Sequence, residues 1–332
     1  MYSAELVNFA GSLGIHGWFL DIAVALVYAL VLFAFFGLMV MVLVYMERKV
    51  SADIQLRYGP IHVGPRGALQ LVADMLKLLT KEDVFPKLAD RWVFRLAPAL
   101  MFAAAFVGFL AIPIGSGLAF KDMNVGLLYV LAVPAVAVAG IIMAGYGSFN
   151  RYAILGSLRS AAQMISYEVP RSLSVLGVIM IAGSMKLSSI VNAQSVWYAF
   201  LQPLGFIVFL VSSIAESNRV PFDLPESESE LVAGYYTEYS GMRFAFFLFG
   251  EYVSLLMVAA LTTILFLGGW HGPLLPGPIW FAIKTFAVIY LLMWVRWTLP
   301  RFRIDQVMDL CWKVLLPLAI LNILLTGLVM VL

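Results

Sequence analysis

Long apolar runs alternate with short polar segments along almost the whole chain. The run from Ile22 to Met46 carries no charge and no strict alternation of apolar and polar positions. A membrane β-strand would alternate over about ten residues, so this run reads as helix. Eight such runs lie at about 18–46, 96–118, 125–147, 160–183, 199–216, 244–267, 279–299 and 312–332. Each approaches or exceeds the roughly 17–25 residues that cross a bilayer as a helix. Helices also satisfy their own backbone groups where no water can. The pattern therefore predicts an all-α polytopic membrane protein, one membrane domain over residues 1–332, with eight transmembrane helices.

The polar segments add detail. A first loop, 47–95, contains Gly59-Pro60 and Gly64-Pro65, each coupling a permissive φ to a fixed one. A defined irregular backbone is expected there. Within it, residues 66–82 predict an amphipathic helix: Leu69, Val72, Leu76 and Leu79 share one face, and Gln70, Asp74, Lys77 and Lys81 line another. Such a helix is expected at the membrane interface on the cytoplasmic side. A second loop spans 217–243 and a third 300–311. Seventeen of the 21 Lys and Arg residues fall on the side of these loops, whereas Lys121 and Lys186 lie on the other side, with Lys284 near it. The excess of basic charge predicts that these loops are cytoplasmic and both termini periplasmic. Termini on one side require an even number of spans, in agreement with eight. No Lys or Arg precedes Arg48, so no cleavable leader is expected.

Composition agrees with this reading. The chain is 63% hydrophobic and 12% charged, against about 25% charged in soluble domains. A net charge of +2 points to no nucleic-acid partner. Cys311 is alone, so no internal disulfide is possible, and His16, His62 and His271 are scattered. Neither a metal-ligand spacing nor a glycine-rich phosphate cradle occurs. Electron carriers, if the protein does redox work, are expected in another chain.

Candidate chemistry concentrates in carboxylates. Six of the nineteen acidic residues fall within 216–238: Glu216, Asp223, Glu226, Glu228, Glu230 and Glu238. Pro221 and Pro225 bracket Phe222-Asp223-Leu224 and prevent a regular helix there. Inside the fourth run, Glu168 and Arg171 flank Pro170, which cannot donate to the carbonyl of Ser166 and so leaves an acceptor free. Intramembrane ionisable residues mark ion or proton routes, and a simple Glu168–Arg171 structural pair is the plainer alternative. Glu251 lies about 12 Å down the sixth run from Arg243. Glu168, Glu216, Glu251 and the loop carboxylates are candidates for a proton relay. Asp21 and Lys284, near the ends of runs, are expected to snorkel to the interface.

These motifs together resemble the H subunit of bacterial NADH–quinone oxidoreductase, respiratory complex I, the mitochondrial ND-one-type membrane subunit. The resemblance is carried by E47-R-K-V, R57-Y-G-P-I-H-V-G-P, L71-V-A-D-M-L-K-L-L-T-K-E-D, S166-Y-E-V-P, V220-P-F-D-L-P-E-S-E-S-E-L-V-A-G-Y, T237-E-Y-S-G-M-R-F, G268-G-W-H-G-P-L-L-P and L299-P-R-F-R-I-D-Q-V-M. It implies eight transmembrane helices, part of them arranged like half of an antiporter, in the bacterial inner membrane. It also implies a quinone chamber shared with peripheral-arm subunits, and neighbouring small membrane subunits as further partners. Quinone is then a substrate, lipid a contact, and iron–sulfur clusters and FMN reside in partner subunits, with no cofactor bound by this chain. Glu47, Arg48, Arg57, Asp74 and Lys77 match chamber or interface positions, and Tyr235 and Glu238, inside the motifs, and Arg219, immediately before Val220, are further candidates for the chamber or interface. Glu168, Asp223, Glu226, Glu228 and Glu230 match the acidic relay. Ile61-His62 stands where the family often has Asn-Arg, so an interface arginine is either missing or replaced by a titratable histidine. Ser227 and Ser229 replace common Ala or Gln. Two other readings fit parts of the pattern: the equivalent anchor of a membrane-bound hydrogenase or deazaflavin-linked complex, and a stand-alone cation/proton antiporter.

Overall fold

A computed structural model describes residues 18–224 and 231–331. Its described residues form helices joined by turns, with a single isolated bridge, Gly115 to Leu118, as the one extended pairing. In chain order the helices are α1 (Trp18–Ile54), α2 (Gln70–Thr80), α3 (Arg91–Phe109), α4 (Gly126–Gly147), α5 (Arg151–Ala182), α6 (Leu187–Ala193), α7 (Tyr198–Leu201), α8 (Pro203–Glu216), α9 (Gly241–Phe266), α10 (Gly277–Thr298), α11 (Ile304–Asp309) and α12 (Leu316–Val331). A π-helical turn, Leu310–Leu315, links α11 to α12. Among the described residues, seven helical stretches are long and apolar enough to cross a membrane, and α8, with 14 residues, is a shorter apolar helix.

Several boundaries move from those the hydropathy predicts. α1 runs to Ile54, so Glu47 and Arg48 belong to a helix and not to the first loop. Phe36, Leu43, Glu47 and Ser51 are buried and spaced to share one face, with Ala52 buried beside them, while Leu26, Leu30 and Leu38 are exposed. Packing against the bundle extends the helix past its apolar segment. α5 begins at Arg151, where Asn150 accepts from the backbone N–H of Tyr152. Glu168 is therefore about 25 Å along the helix from its start at 1.5 Å per residue, deeper than a helix starting at 160 implies.

The amphipathic helix is shorter than 66–82. Arg66 adopts φ 54° inside a 3₁₀ turn at Pro65–Gly67, and α2 proper is Gln70–Thr80. A Cβ at Gly67 would fall 2.1 Å from the carbonyl oxygen of Pro60, so only glycine fits that fold-back. Lys49 Nζ donates to Pro60 O at 2.9 Å and Tyr45 Oη to Arg66 O at 3.0 Å, clamping the loop to α1. The apolar face of α2 is open: Leu69, Val72, Leu76 and Leu79 are 44–56% exposed.

Lys284 does not snorkel. It is buried, and Nζ donates to the carbonyls of Leu267 (2.7 Å), Gly269 (3.1 Å) and His271 (2.7 Å). Those carbonyls lie just beyond the C-terminus of α9, where a cation is favoured and free acceptors are available. The side chain of Asp21 lies outside the described residues.

Candidate functional site

The segment after α8 positions the charged centre. Ser217–Leu224 folds back beneath the bundle because Pro221 blocks a helix and because two contacts pin it. Gln163 Nε2 on α5 donates to Ala215 O (2.6 Å) and Phe222 O (2.7 Å). The Phe222 ring lies between Tyr167 and Phe302, at 5.6 and 5.7 Å between centroids. This anchoring places Arg219 and Asp223 inside the protein.

Arg219 is the hub. Its Nη1 lies 3.1 Å from Glu47 Oε2, its Nη2 lies 3.1 Å from Glu251 Oε1, and its guanidinium carbon sits 4.6 Å from the centre of the Tyr252 ring. Glu47 is also bonded by Arg296, from the last turn of α10. Two carboxylates and two guanidiniums from α1, the loop, α9 and α10 thus neutralise one another out of water, as buried charges require. Burial alone would lower the Arg219 pKa, but Glu251 and Glu47 outweigh it and hold the guanidinium above its ordinary value. Asp223, buried, forms a separate pair with Arg301 at 3.0 Å.

A cavity adjoins this centre. Glu216, Glu251, Arg171, Asn218, Tyr235 and Tyr236 are among the residues that line it. Its space open to water is about 40 Å³, above the roughly 10–15 Å³ that a water molecule needs. Arg171 is ion-paired with Glu216 across the α5–α8 contact, and its Nη2 reaches Leu131 O at 3.5 Å. The expected alternative, a Glu168–Arg171 pair, does not form: Glu168 is half-buried, makes no ion pair among the described residues and does not line the cavity. The acceptor that Pro170 frees is used. Cys311 Sγ, on the π-helical turn, donates to Ser166 O at 3.2 Å, and Tyr167 Oη donates to Val307 O at 2.7 Å.

Other candidate residues lie at the periphery. Arg48 pairs with Asp74 at 2.6 Å, joining α1 to α2. Arg57 is exposed and bonds Gln55 Oε1 at 2.6 Å, and Lys77 is exposed. Glu238 accepts from Asn150 Nδ2 at 2.7 Å, and the buried Tyr235 hydroxyl donates to that of Tyr236 at 2.6 Å. Glu226, Glu228 and Glu230 lie outside the described residues. The structure thus joins Glu47, Arg219 and Glu251 directly, sets Glu216 beside Glu251 on one cavity, and leaves Glu168, Arg57 and Lys77 apart from both. Arg296, Arg301, Tyr252 and Gln163 escaped the sequence reading. The two arginines read there only as orienting charges, although Arg296 interrupts an apolar run at its last turn, which is a usable signal.

A family model described as NADH dehydrogenase matches residues 27–327. The chain is 50% identical over 331 residues to the H subunit of NADH-quinone oxidoreductase from a Geobacillus species, covering 98% of each chain. It is 51% identical over 317 residues to the proteins of the same description from Bacillus thuringiensis and Bacillus cereus, covering 94% of this chain and 93% of each relative.

Proposed function

The chain belongs to the NADH dehydrogenase family, and from that membership we propose that it is the H-type membrane component of a proton-pumping NADH–quinone oxidoreductase. In this reading its loops on the basic side form part of a quinone chamber at the junction with the peripheral arm. Its buried carboxylates couple quinone reduction to proton translocation. The observation that carries the reading is Arg219, one guanidinium shared by Glu47 and Glu251 at 3.1 Å each. A shared cation can lean towards either carboxylate, and that is a bistable element which a nearby change of charge biases.

The proposed sequence is electrostatic. Two-electron reduction builds negative charge at the quinone, next to the loops. Arg219 and Arg296 are drawn towards it. Glu251 is left short of its counter-ion, and a proton from the adjoining cavity neutralises it. The same cavity reaches Glu216, whose partner Arg171 then feels the change. Asp223 and the acidic positions Glu226, Glu228 and Glu230 extend the relay in this proposal, with Glu168 further along α5. Arg48 and Asp74 hold α2 against α1 at the chamber wall, and Arg57, Lys77, Tyr235 and Glu238 belong to the chamber or to the interface with partner subunits. Iron–sulfur clusters and FMN are assigned to those partners, and this chain carries no redox centre. The short helix α8 completes eight spans, partly antiporter-like, in a bacterial inner membrane with both termini periplasmic.

The test uses Glu251→Gln and Glu216→Gln in the assembled complex. Subunit composition is expected to be unchanged, while quinone-coupled turnover and proton pumping fall together. Normal pumping in both variants, with assembly intact, refutes the coupling role.

A further inference from the structure

An open cleft of about 450 Å³ lies on the basic side where α4 ends and α3 and α5 begin, and the ion networks above do not use it. Its walls include Pro86–Leu88, which precede α3, and Ser148–Tyr152, which join α4 to α5. The backbone N–H of Asp90 donates to Gly147 O at 3.2 Å and holds the two walls together. We propose that this cleft binds the headgroup of an anionic phospholipid. The proposal goes beyond the quinone reading, shares Glu238 with it at the cleft wall, and rests on the chain lying in a membrane.

Two independent features point there. The first is charge. Lys87 and Arg151 line the cleft and Arg91 follows Lys87 by four residues; all three are exposed and none has an ion-pair partner among the described residues. Of the carboxylates nearby, Asp90 caps α3, accepting from the N–H of Trp92 (3.0 Å) and Val93 (3.3 Å), and Glu238, which also lines the cleft, accepts from Asn150, so the two cations of the cleft wall outnumber its one carboxylate. Basic pockets between transmembrane helices at the cytoplasmic surface suit phosphate headgroups. The second is a strained, exposed ring. Phe149 holds φ 52°, a conformation unusual for a bulky residue, and its side chain is 67% exposed at the cleft. Trp92 and Tyr152 are also exposed at the same level. Aromatic rings exposed where spans end belong at headgroup depth. From there Ile142 and Tyr146 along α4, and Leu155 and Leu158 along α5, offer exposed apolar surface for acyl chains.

The full chain in its complex, delipidated in mild detergent, is titrated with phosphatidylglycerol or phosphatidylcholine and followed by native mass spectrometry. Each basic residue near an anionic surface contributes about a fivefold factor. The triple variant Lys87→Gln/Arg91→Gln/Arg151→Gln is therefore expected to lose about a hundredfold in phosphatidylglycerol affinity, with phosphatidylcholine unaffected. Equal affinity of the natural chain for the two lipids, or an unchanged triple variant, overturns the proposal. Should the triple variant fail to assemble, a photo-crosslinking residue at position 149 decides: capture of phospholipid supports the site, and capture of a protein chain overturns it.

Discussion

Replacing Arg219 with Met strands one carboxylate and not the other. Glu47 keeps Arg296, whereas Glu251, whose side chain is 12% exposed, has Arg219 as its ion-pair partner among the described residues. Opposite charges about 4 Å apart attract by about 4 kcal/mol at an effective dielectric of about 20. Removing one member of a buried pair costs about 3–5 kcal/mol, because the other charge stays buried without compensation. Arg219→Met is therefore expected to lose about 3–5 kcal/mol of stability. Glu251→Gln leaves Arg219 with Glu47 and should lose clearly less. The double variant Arg219→Met/Glu251→Gln removes both charges, and part of the loss should return. A coupling energy of about 2 kcal/mol is expected, within the range of about 0.5–3 kcal/mol that residues in one network show. Glu47→Gln is a further control: it leaves the Arg219–Glu251 pair intact and frees only Arg296, which is 20% exposed and can reach water. The assay is denaturant or thermal unfolding of the full chain in lipid–detergent micelles, followed by tryptophan fluorescence. Additivity of the two single losses within about 0.5 kcal/mol, or a Glu47→Gln loss as large as that of Arg219→Met, refutes the hub.

Cys311→Ala leaves the Ser166 carbonyl without its donor and should cost about 1–3 kcal/mol, whereas Cys311→Ser should retain most of the stability; an alanine variant as stable as the serine one in thermal unfolding removes that bond from the account. A Cβ at Gly156 would meet Gly234 Cα at 2.8 Å, so Gly156→Ala should push away the Tyr235–Tyr236 turn and cost about 1–3 kcal/mol. Gly250→Ala, facing Met101 Cγ at 3.5 Å, should be near neutral in the same unfolding assay. Burial raises the pKa of Tyr239, whose hydroxyl donates to Phe94 O at 3.2 Å. A group raised on folding contributes stability that is complete below its unfolded value, near pH 10, and is lost as pH rises towards the folded value. Tyr239→Phe should therefore show a smaller loss of denaturation midpoint between about pH 9.5 and 11.5, and an identical slope in both proteins contradicts this.

The motifs that carry the family were legible because they are local strings whose order survives in the chain. The amphipathic pattern of α2 was legible for the same reason, and Arg66 shows its limit: a positive φ there delays the helix to Gln70, at a position where side-chain periodicity carries no signal. Lys284 shows another limit. Its place near the end of a run suggests a headgroup contact, but three carbonyls released by the end of α9 outcompete water for its ammonium.

What the sequence by itself determined are the properties that depend on neighbours in the chain. Apolar runs set the spans, because burying backbone in hydrocarbon demands helices. Pro170 freed a carbonyl at Ser166. Only the tertiary structure decided who answers those demands. The partner of Glu47 lies 172 residues away at Arg219 and 249 away at Arg296, and the donor to Ser166 is 145 residues on, at Cys311. Arg171 makes its ion pair with Glu216 on another helix, and not with Glu168, three residues before it on its own. Desolvation explains the difference: a charge carried out of water must be neutralised wherever the packing leaves a counter-charge, and that place is set by how helices meet, not by their order along the chain.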